Sequence, residues 1–135
     1  MKAELVYLDS PALVKLVVRE AESDALRGWV AMHPATITSA LAIAEVRRAV
    51  GRLSPQRGLS DRARLVLDGV ALLAVDQDVL ERAARLAPKE LRTLDAIHIA
   101  SALSLGADLL AFVTYDDRQR DAARKAGLPL VGPGA

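Results

Sequence analysis

The sequence predicts an α/β domain in which a mostly parallel β-sheet is covered by helices on both faces, giving three layers. Its 135 residues are 52% apolar, which is enough for one buried core and too few for two ordinary domains. Five short, nearly all-apolar runs are typical of strands buried on both faces. Segments with helical patterning separate these runs, as in a sheet whose parallel strands are joined by helices. We therefore expect a single domain over residues 1–135.

The strands are recognised by runs of apolar and β-branched residues. Leu109–Val113 is the most strand-like run, and Thr36–Thr38 is short and β-branched. The predicted strands are 5–8, 36–38, 72–75, 109–113 and 128–131.

The helices are recognised by their periodicity and their end signals. Pro11 stands in a first turn, where its missing N–H costs nothing. Thr93 has the character of an N-cap, and Gly51, Gly106 and Gly127 are predicted to end helices. The predicted helices are 11–18, 21–32, 39–50, 60–69, 77–86, 93–105 and 117–126, with an arginine-rich loop over 52–58.

Composition excludes several classes of protein. The sequence has no cysteine, so disulfides and thiolate metal sites are excluded. The N-terminal segment includes Lys2, Glu4 and Asp9, which leaves no apolar core for a signal peptide. The longest apolar runs are far shorter than the roughly 20 residues that a membrane helix needs. We expect a cytoplasmic protein with no membrane contact.

Basic residues are clustered although the net charge is only +1. The segment from Glu45 to Arg64 contains six arginines, and a second cluster lies near the C-terminus. Arginine on solvated helix faces is the ordinary explanation, and a surface that binds phosphates is the alternative. The residues are Arg47, Arg48, Arg52, Arg57, Arg62 and Arg64 in the first cluster, and Arg118, Arg120, Arg124 and Lys125 in the second.

Four acids stand at positions that favour a functional role. Asp9 and Asp116 follow two predicted strands, and ligands of open α/β sheets bind at the carboxyl ends of strands. Glu45 interrupts an apolar helical stretch, where a lone carboxylate is out of place unless the helix lines a polar pocket. Asp95 lies in the first turn of an apolar helix. Helix capping is an ordinary alternative for Asp9, and the helix dipole is one for Asp95.

Taken together, these carboxylates favour a metal site. Acids that converge at one edge repel each other unless they are protonated, paired with cations or bound to a metal. Oxygen ligands select Mg²⁺ or Mn²⁺ over zinc. We therefore predict that one or two divalent ions bind there, where they would activate a water. The predicted catalytic and metal-binding residues are Asp9, Glu45, Asp95 and Asp116.

The sequence resembles the PIN-domain ribonucleases of the VapC kind over essentially the whole chain. Its motifs match the four acidic motifs of that family in order and spacing, and Leu-Arg-Thr-Leu-Asp-Ala is the most specific piece. Members often carry Ser or Thr two residues after the first Asp; this chain has Pro11 there, with Ser10 as the remaining nearby hydroxyl. The matching segments are Leu8–Ser10, Ala44–Glu45, Leu91–Ala100 and Val113–Asp116.

The resemblance implies a five-stranded parallel sheet with flanking helices and an acidic magnesium site. It also implies an endoribonuclease that leaves a 5′-phosphate and a 3′-hydroxyl, and a partner antitoxin of the VapB kind. The antitoxin is expected to block the acidic groove, with a basic side chain in the place of the metal.

Two neighbours of the acids could contribute to the site. His98 follows Asp95 by three residues and could be a metal ligand, but we expect a buried histidine that hydrogen-bonds to backbone. Asp117 could replace Asp116; we prefer Asp116 as the ligand, with Asp117 as the cap of the following helix.

The second predicted helix carries Leu26, Trp29 and Val30. These apolar side chains suggest the face of a homodimer, with burial in the chain's own core as the alternative.

Two other function classes remain open. One is a catalytically silent PIN-like module that binds RNA or protein, although the presence of all four acids argues against it. The other is a receiver-like phosphoacceptor domain, which needs a second acid near the first strand and a lysine after the last-but-one strand. Glu4 lies at the wrong end of its strand for this role, and Lys125 lies too far into the last helix.

Overall fold

The five strands form one parallel sheet in the computed structural model, which describes residues 3–53 and 57–135. The order across the sheet is β3-β2-β1-β4-β5, and every neighbouring pair is parallel. This confirms the predicted parallel sheet. The strands are β1 (Leu5–Leu8), β2 (Thr36–Ser39), β3 (Ala71–Leu73), β4 (Leu109–Val113) and β5 (Leu130–Val131).

The central strand β1 marks the point where the chain changes direction across the sheet. On one side β1 pairs with β2, with Val6 opposite Thr36. On the other side it pairs with β4, with Leu8 opposite Val113. The chain adds β2 and β3 on the first side and returns to add β4 and β5 on the second. A crevice at the carboxyl ends of β1 and β4 is therefore the expected place for a ligand.

Helices cover both faces of this sheet, which confirms the three-layer architecture. Side chains alternate along β1, because successive residues of a strand point to opposite faces. Val6 and Leu8 pack with the helices α1 to α4, whereas Tyr7 packs with α6 and α7. The helix α5 lies outside α6 and packs on it through Val79 and Ala83. The described helices are α1 (Ser10–Val17), α2 (Ser23–Met32), α3 (Ala42–Leu53), α4 (Arg57–Asp68), α5 (Gln77–Arg85), α6 (Thr93–Leu103) and α7 (Asp117–Lys125).

The predicted end of the third helix at Gly51 is wrong. The helix α3 begins at Ala42, after a turn, and continues through Gly51 to Leu53. A glycine ends a helix when it adopts a left-handed conformation. Gly127 does so after α7, with φ of 86°, whereas Gly51 does not. Of the predicted loop, 52–53 belong to α3, 57–58 belong to α4, and 54–56 lie outside the described residues.

The predicted bounds of α6 also need correction. Arg92 is the N-cap and makes no side-chain capping bond, while Thr93 is the first helical residue. The helix ends at Leu103 rather than Leu105, and a short 3-10 helix, Gly106–Asp108, leads into β4.

The apolar side chains of α2 contribute to the core of the chain itself. Leu26 is fully buried, and Trp29 and Val30 are partly buried against the same cluster. Leu26 is therefore unavailable for a dimer face, contrary to one of the two interpretations of this helix. Within the described ranges, no helix has the length and apolar character needed to cross a membrane.

Candidate functional site: a carboxylate edge beside a groove

Asp9 and Asp116 lie at the same edge of the sheet, as predicted. Asp9 directly follows β1 and caps α1, with its Oδ1 accepting a hydrogen bond from the Ala12 amide at 2.9 Å. Asp116 follows β4 and caps α7, with its Oδ1 accepting from the amides of Arg118 and Gln119 at 2.8 and 3.3 Å. Each of these two acids therefore caps a helix and also lies at the carboxyl edge of the sheet.

The predicted cap for the last helix is wrong by one residue. Asp116 caps α7, and Asp117 is the first residue of the helix. The capping oxygen of Asp116 is Oδ1, so its Oδ2 stays available to other partners. Asp116 can therefore serve the helix and the site at once.

Glu45 enters the same edge from α3. Its Oε1 accepts a hydrogen bond from the Ser10 hydroxyl at 2.7 Å. The same oxygen lies 2.7 Å from Nε2 of His98. The side chain of Glu45 is 24% exposed. Ser10, the hydroxyl next to Pro11, therefore contacts one of the predicted acids.

His98 is buried as expected, but its partners are side chains and not backbone. Nε2 faces Glu45, and Nδ1 lies 2.7 Å from the hydroxyl of Tyr7. A carboxylate oxygen only accepts hydrogen bonds, so Nε2 must carry a proton. The Tyr7 hydroxyl is the partner of Nδ1: it donates to this nitrogen when the ring is neutral and accepts from it when the ring is charged. The sequence offered only the Asp-x-x-His spacing as a signal, because Tyr7 and His98 are 91 positions apart.

Asp95 and Asp116 share one cation, Arg92. Its Nε donates to Oδ2 of Asp95 at 2.8 Å, and a terminal nitrogen donates to Oδ2 of Asp116 at 3.3 Å. The side chain of Arg92 is 62% exposed. Sequence reasoning missed this role, although Arg92 stands inside the most specific motif.

Burial and local charge act differently on Asp9 and Glu45. Burial raises the pKa of Asp9 to about 6, even though the Thr114 hydroxyl and the Ala12 amide oppose the shift. The charge of Asp95 adds to the rise. Burial would also raise the pKa of Glu45, but the hydrogen bond and charge of His98, with the bond from Ser10, hold that pKa below its usual value.

A groove of about 770 Å³ opens beside these acids, between α1, α3 and the start of α6. Glu45, Asp95, Arg92 and His98 line one part of it. The rest is largely apolar, with Arg48 and Arg52 of the first basic cluster on the wall formed by α3; its apolar lining includes Pro11, Val14, Leu41, Ala44 and Leu94.

The family model for the PIN domain matches residues 6–125 of this chain. The chain belongs to the PIN-domain family. A curated relative, Ribonuclease VapC46 of Mycobacterium tuberculosis, is 50% identical over 128 residues, which cover 95% of this chain and 97% of that protein.

Solved structures confirm the PIN fold. VapC20 of Mycobacterium tuberculosis, described as a sarcin-ricin loop cleaving toxin, superposes with a TM-score of 0.73 at 21% identity, over 95% of this chain and 99% of that one. A chain of a toxin-antitoxin complex from Klebsiella pneumoniae superposes with a TM-score of 0.70 at 23% identity, over 95% and 97% of the two chains. At these identities the likeness concerns the fold.

The side chains of this PIN domain fit a hard divalent cation in their chemistry. Among the described residues, no three His, Cys, Asp or Glu side chains are placed close enough to hold a metal as they stand. However, Asp95 and Asp116 both reach one guanidinium, so a common cation lies within range of both. Metal binding by the four acids stays a prediction.

Proposed function

We propose that this protein is a Mg²⁺- or Mn²⁺-dependent endoribonuclease that acts as a toxin and is neutralised by a VapB-like antitoxin. One observation carries the proposal. Asp9 and Asp116 follow β1 and β4 at one edge of the sheet, Arg92 joins Asp116 to Asp95, and Asp95 and Glu45 line one groove. The chain is half identical to Ribonuclease VapC46.

The carboxylates divide the work by what their oxygens already bind. Asp9, Glu45, Asp95 and Asp116 would hold the ion, which supplies an activated water and neutralises charge on the scissile phosphate. Ser10 and His98 both donate hydrogen bonds to Oε1 of Glu45, so Oε2 is the atom of this carboxylate that can orient a water. The Asp116 oxygen that faces the site is Oδ2, since Oδ1 caps α7.

Arg48 and Arg52 would hold phosphates that flank the scissile one. Arg48 follows Glu45 by three residues, and Arg52 follows Arg48 by four, so the three side chains share one face of α3. Both arginines line the groove. A polyanion can therefore approach the acids, because basic side chains bind the adjacent parts of its backbone.

The same groove would accept an antitoxin segment. Its apolar lining between α1 and α3 suits apolar side chains, and its acidic end suits a basic side chain in the position of the ion.

We further propose that the protein works in the cytoplasm and forms a homodimer, whose mass in solution can be measured by light scattering.

The decisive experiment is cleavage of RNA by the purified protein with EDTA, and after Mg²⁺ or Mn²⁺ is restored. We expect cleavage only with metal, with a 5′-phosphate on the product. Asp78→Asn is a matched control for Asp95→Asn, because both acids lie in the first turn of a helix and Asp78 is exposed on α5. Cleavage that persists in EDTA would contradict the proposal. Binding of RNA without cleavage would favour the silent module.

Toxicity is tested separately in cells. Expression of the protein alone should arrest growth, and co-expression of the antitoxin should restore it. Normal growth under strong induction, with the protein detected in the cells, would argue against the toxin role.

A further inference from the structure

Arg92 is placed to exchange one partner for another. It stands just before α6 and joins Asp95, in the first turn of α6, to Asp116, the cap of α7. Both bonds end on the Oδ2 atoms, at 2.8 and 3.3 Å. The proposed function assigns the Oδ2 atom of Asp116 and the carboxylate of Asp95 to a divalent ion.

The bridge can open without disturbing the fold. The Arg92 side chain is 62% exposed, and exposed ion pairs contribute little to stability because water competes for both charges. Asp116 keeps its position when Arg92 leaves, since its Oδ1 remains bonded to the amides of Arg118 and Gln119. Only the counter-ion of the two carboxylates then changes.

A released guanidinium would stay beside the substrate. Arg92 and Asp95 line the groove and also a second depression of about 410 Å³. The lining of this depression includes two further cations, Arg118 and Lys125, together with the acids Glu90 and Asp121. Arg92 therefore lies where the two concave surfaces meet, which is where a strand crossing the acids would pass. Its planar fork can bind a phosphate through two hydrogen bonds.

We propose that Arg92 is a shared cation of the site: it neutralises Asp95 and Asp116 in the metal-free protein and binds a substrate phosphate once those carboxylates have a divalent counter-ion. This proposal rests on the proposed function. It requires Arg92 and the ion to compete for the two Oδ2 atoms, and Arg92 to be needed again for cleavage. Loss of the guanidinium must therefore act in opposite directions on metal binding and on catalysis.

The test uses Arg92→Gln and Arg92→Lys, with Arg19→Gln as the control. Arg19 makes a 2.8 Å ion pair with Asp24 of α2, and both side chains are largely exposed. The control thus removes one positive charge and one surface pair that line neither the groove nor the depression. Mn²⁺ alone is titrated into each protein by calorimetry without RNA, and kcat/KM for RNA cleavage is measured separately.

Arg92→Gln should bind Mn²⁺ about fivefold more tightly than wild type, because the competing cation is gone. Its kcat/KM should nevertheless fall by about tenfold or more, because a charge-assisted bond to phosphate is lost. Arg92→Lys should lie between wild type and Arg92→Gln in both measurements, since lysine keeps the charge but not the fork. Arg19→Gln should match wild type in both.

Unchanged or weaker Mn²⁺ binding by a folded Arg92→Gln would overturn the proposal. Tighter binding with undiminished cleavage would overturn it as well, because Arg92 would then only compete with the metal. If the wild type does not cleave RNA at all, the proposed function fails at that step, whereas the calorimetric comparison still reports on competition at Asp95 and Asp116.

Discussion

Glu45 and Asp95 face the same groove, but their hydrogen-bond partners differ in burial. Glu45 is bonded to His98, which is 1% exposed and is bonded in turn to the fully buried Tyr7. Asp95 is bonded to Arg92, which is largely exposed. The two carboxylates themselves are similarly exposed, at 24% for Glu45 and 19% for Asp95. We call Asp9, Glu45, His98 and Tyr7 the buried half of the site, because Glu45 is bonded to buried partners. We call Asp95, Asp116 and Arg92 the exposed half, because the cation that these two acids share is exposed.

The two halves should differ in how easily their hydrogen-bond partners can change. Burial makes an unpaired polar group costly, so the buried half should resist rearrangement and its loss should destabilise the fold. In the exposed half Arg92 is solvated in either arrangement, so the two acids can change their counter-ion at little cost. Changes in the exposed half should therefore affect chemistry more than folding, and changes in the buried half should affect both.

The largest effect is expected for Asp95→Asn, in the exposed half. Removal of this charge should weaken the binding of the ion and reduce metal-dependent cleavage by at least about 100-fold, because the ion stabilises the charge that develops in the transition state by several kcal/mol. The metal-free melting temperature should hardly change, since the partner that Asp95 loses, Arg92, is largely exposed. Cleavage assays and thermal melts with and without Mn²⁺ measure both quantities. Retained cleavage would mean that Asp95 serves only the helix start.

Asp9→Asn should increase the stability of the metal-free protein at neutral pH. The folded-state pKa of Asp9, about 6, lies above its ordinary 3.8, so the folded protein holds this proton more tightly than the unfolded chain does. The free energy of unfolding should therefore fall as pH rises from about 4 to 6, by roughly 3 kcal/mol for this group. Asparagine keeps the cap on Ala12 but cannot ionise.

The pH effect is measured as the difference between wild type and Asp9→Asn in denaturant melts from pH 4 to 7.5, without metal. Asp76→Asn is the control, because Asp76 caps α5 with the same 2.9 Å bond to an amide but is exposed. A difference that does not grow with pH would contradict the assigned cause.

Tyr7→Phe tests the buried half directly. Loss of the hydroxyl leaves Nδ1 of His98 without its partner, which should lower the free energy of unfolding by about 1–2 kcal/mol. The ring stack on Phe112 at 5.3 Å is retained, so packing changes little. Tyr115→Phe, which loses a 2.8 Å bond to the Pro133 carbonyl, is the matched control.

A positioning role for Tyr7 predicts more than lower stability. Cleavage by Tyr7→Phe should fall by several-fold at a temperature where the variant is fully folded, and the ring ¹⁵N shifts of His98 should change. Tyr115→Phe should leave both unchanged. If Tyr7→Phe cleaves RNA at the wild-type rate, the hydrogen bonds that link Tyr7 to Glu45 through His98 are structural only.

The smallest effect is expected for Arg92→Gln on metal-free stability. The lost pairs are exposed, so the free energy of unfolding should change by no more than about 1 kcal/mol. Equilibrium denaturation of this variant beside Tyr7→Phe compares the two halves directly. A larger loss in Arg92→Gln than in Tyr7→Phe would reverse the assignment of rigid and exchangeable halves.

The sequence was informative wherever local chemistry decides the outcome. Apolar runs predicted all five strands, although β3 and β5 are shorter than expected at Ala71–Leu73 and Leu130–Val131. The parallel-sheet rule then brought Asp9 and Asp116 to one edge. Helix ends were less certain, because Gly51 continues its helix while Gly127 ends one.

Partnerships between distant residues had no local signal. The pairing of Glu45 with His98 spans 53 positions, and that of Arg92 with Asp116 spans 24. No residue beside them in the sequence indicates these contacts. The expectation that His98 bonds to backbone was reasonable for a histidine on an apolar helix, and the fold overturned it by bringing Tyr7 from β1 to its ring.

The sequence by itself determined which acids this protein places at the carboxyl edge of a parallel sheet, because strand alternation, helix ends and motif order are properties of short segments. Only the tertiary structure decided what each carboxylate binds. It buried Asp9, joined Glu45 to His98 and Ser10, and set Arg92 between Asp95 and Asp116. Burial and hydrogen-bond partners arise when α1, α3, α6 and α7 pack around one end of the sheet, so the protonation and counter-ions of the site are properties of that packing.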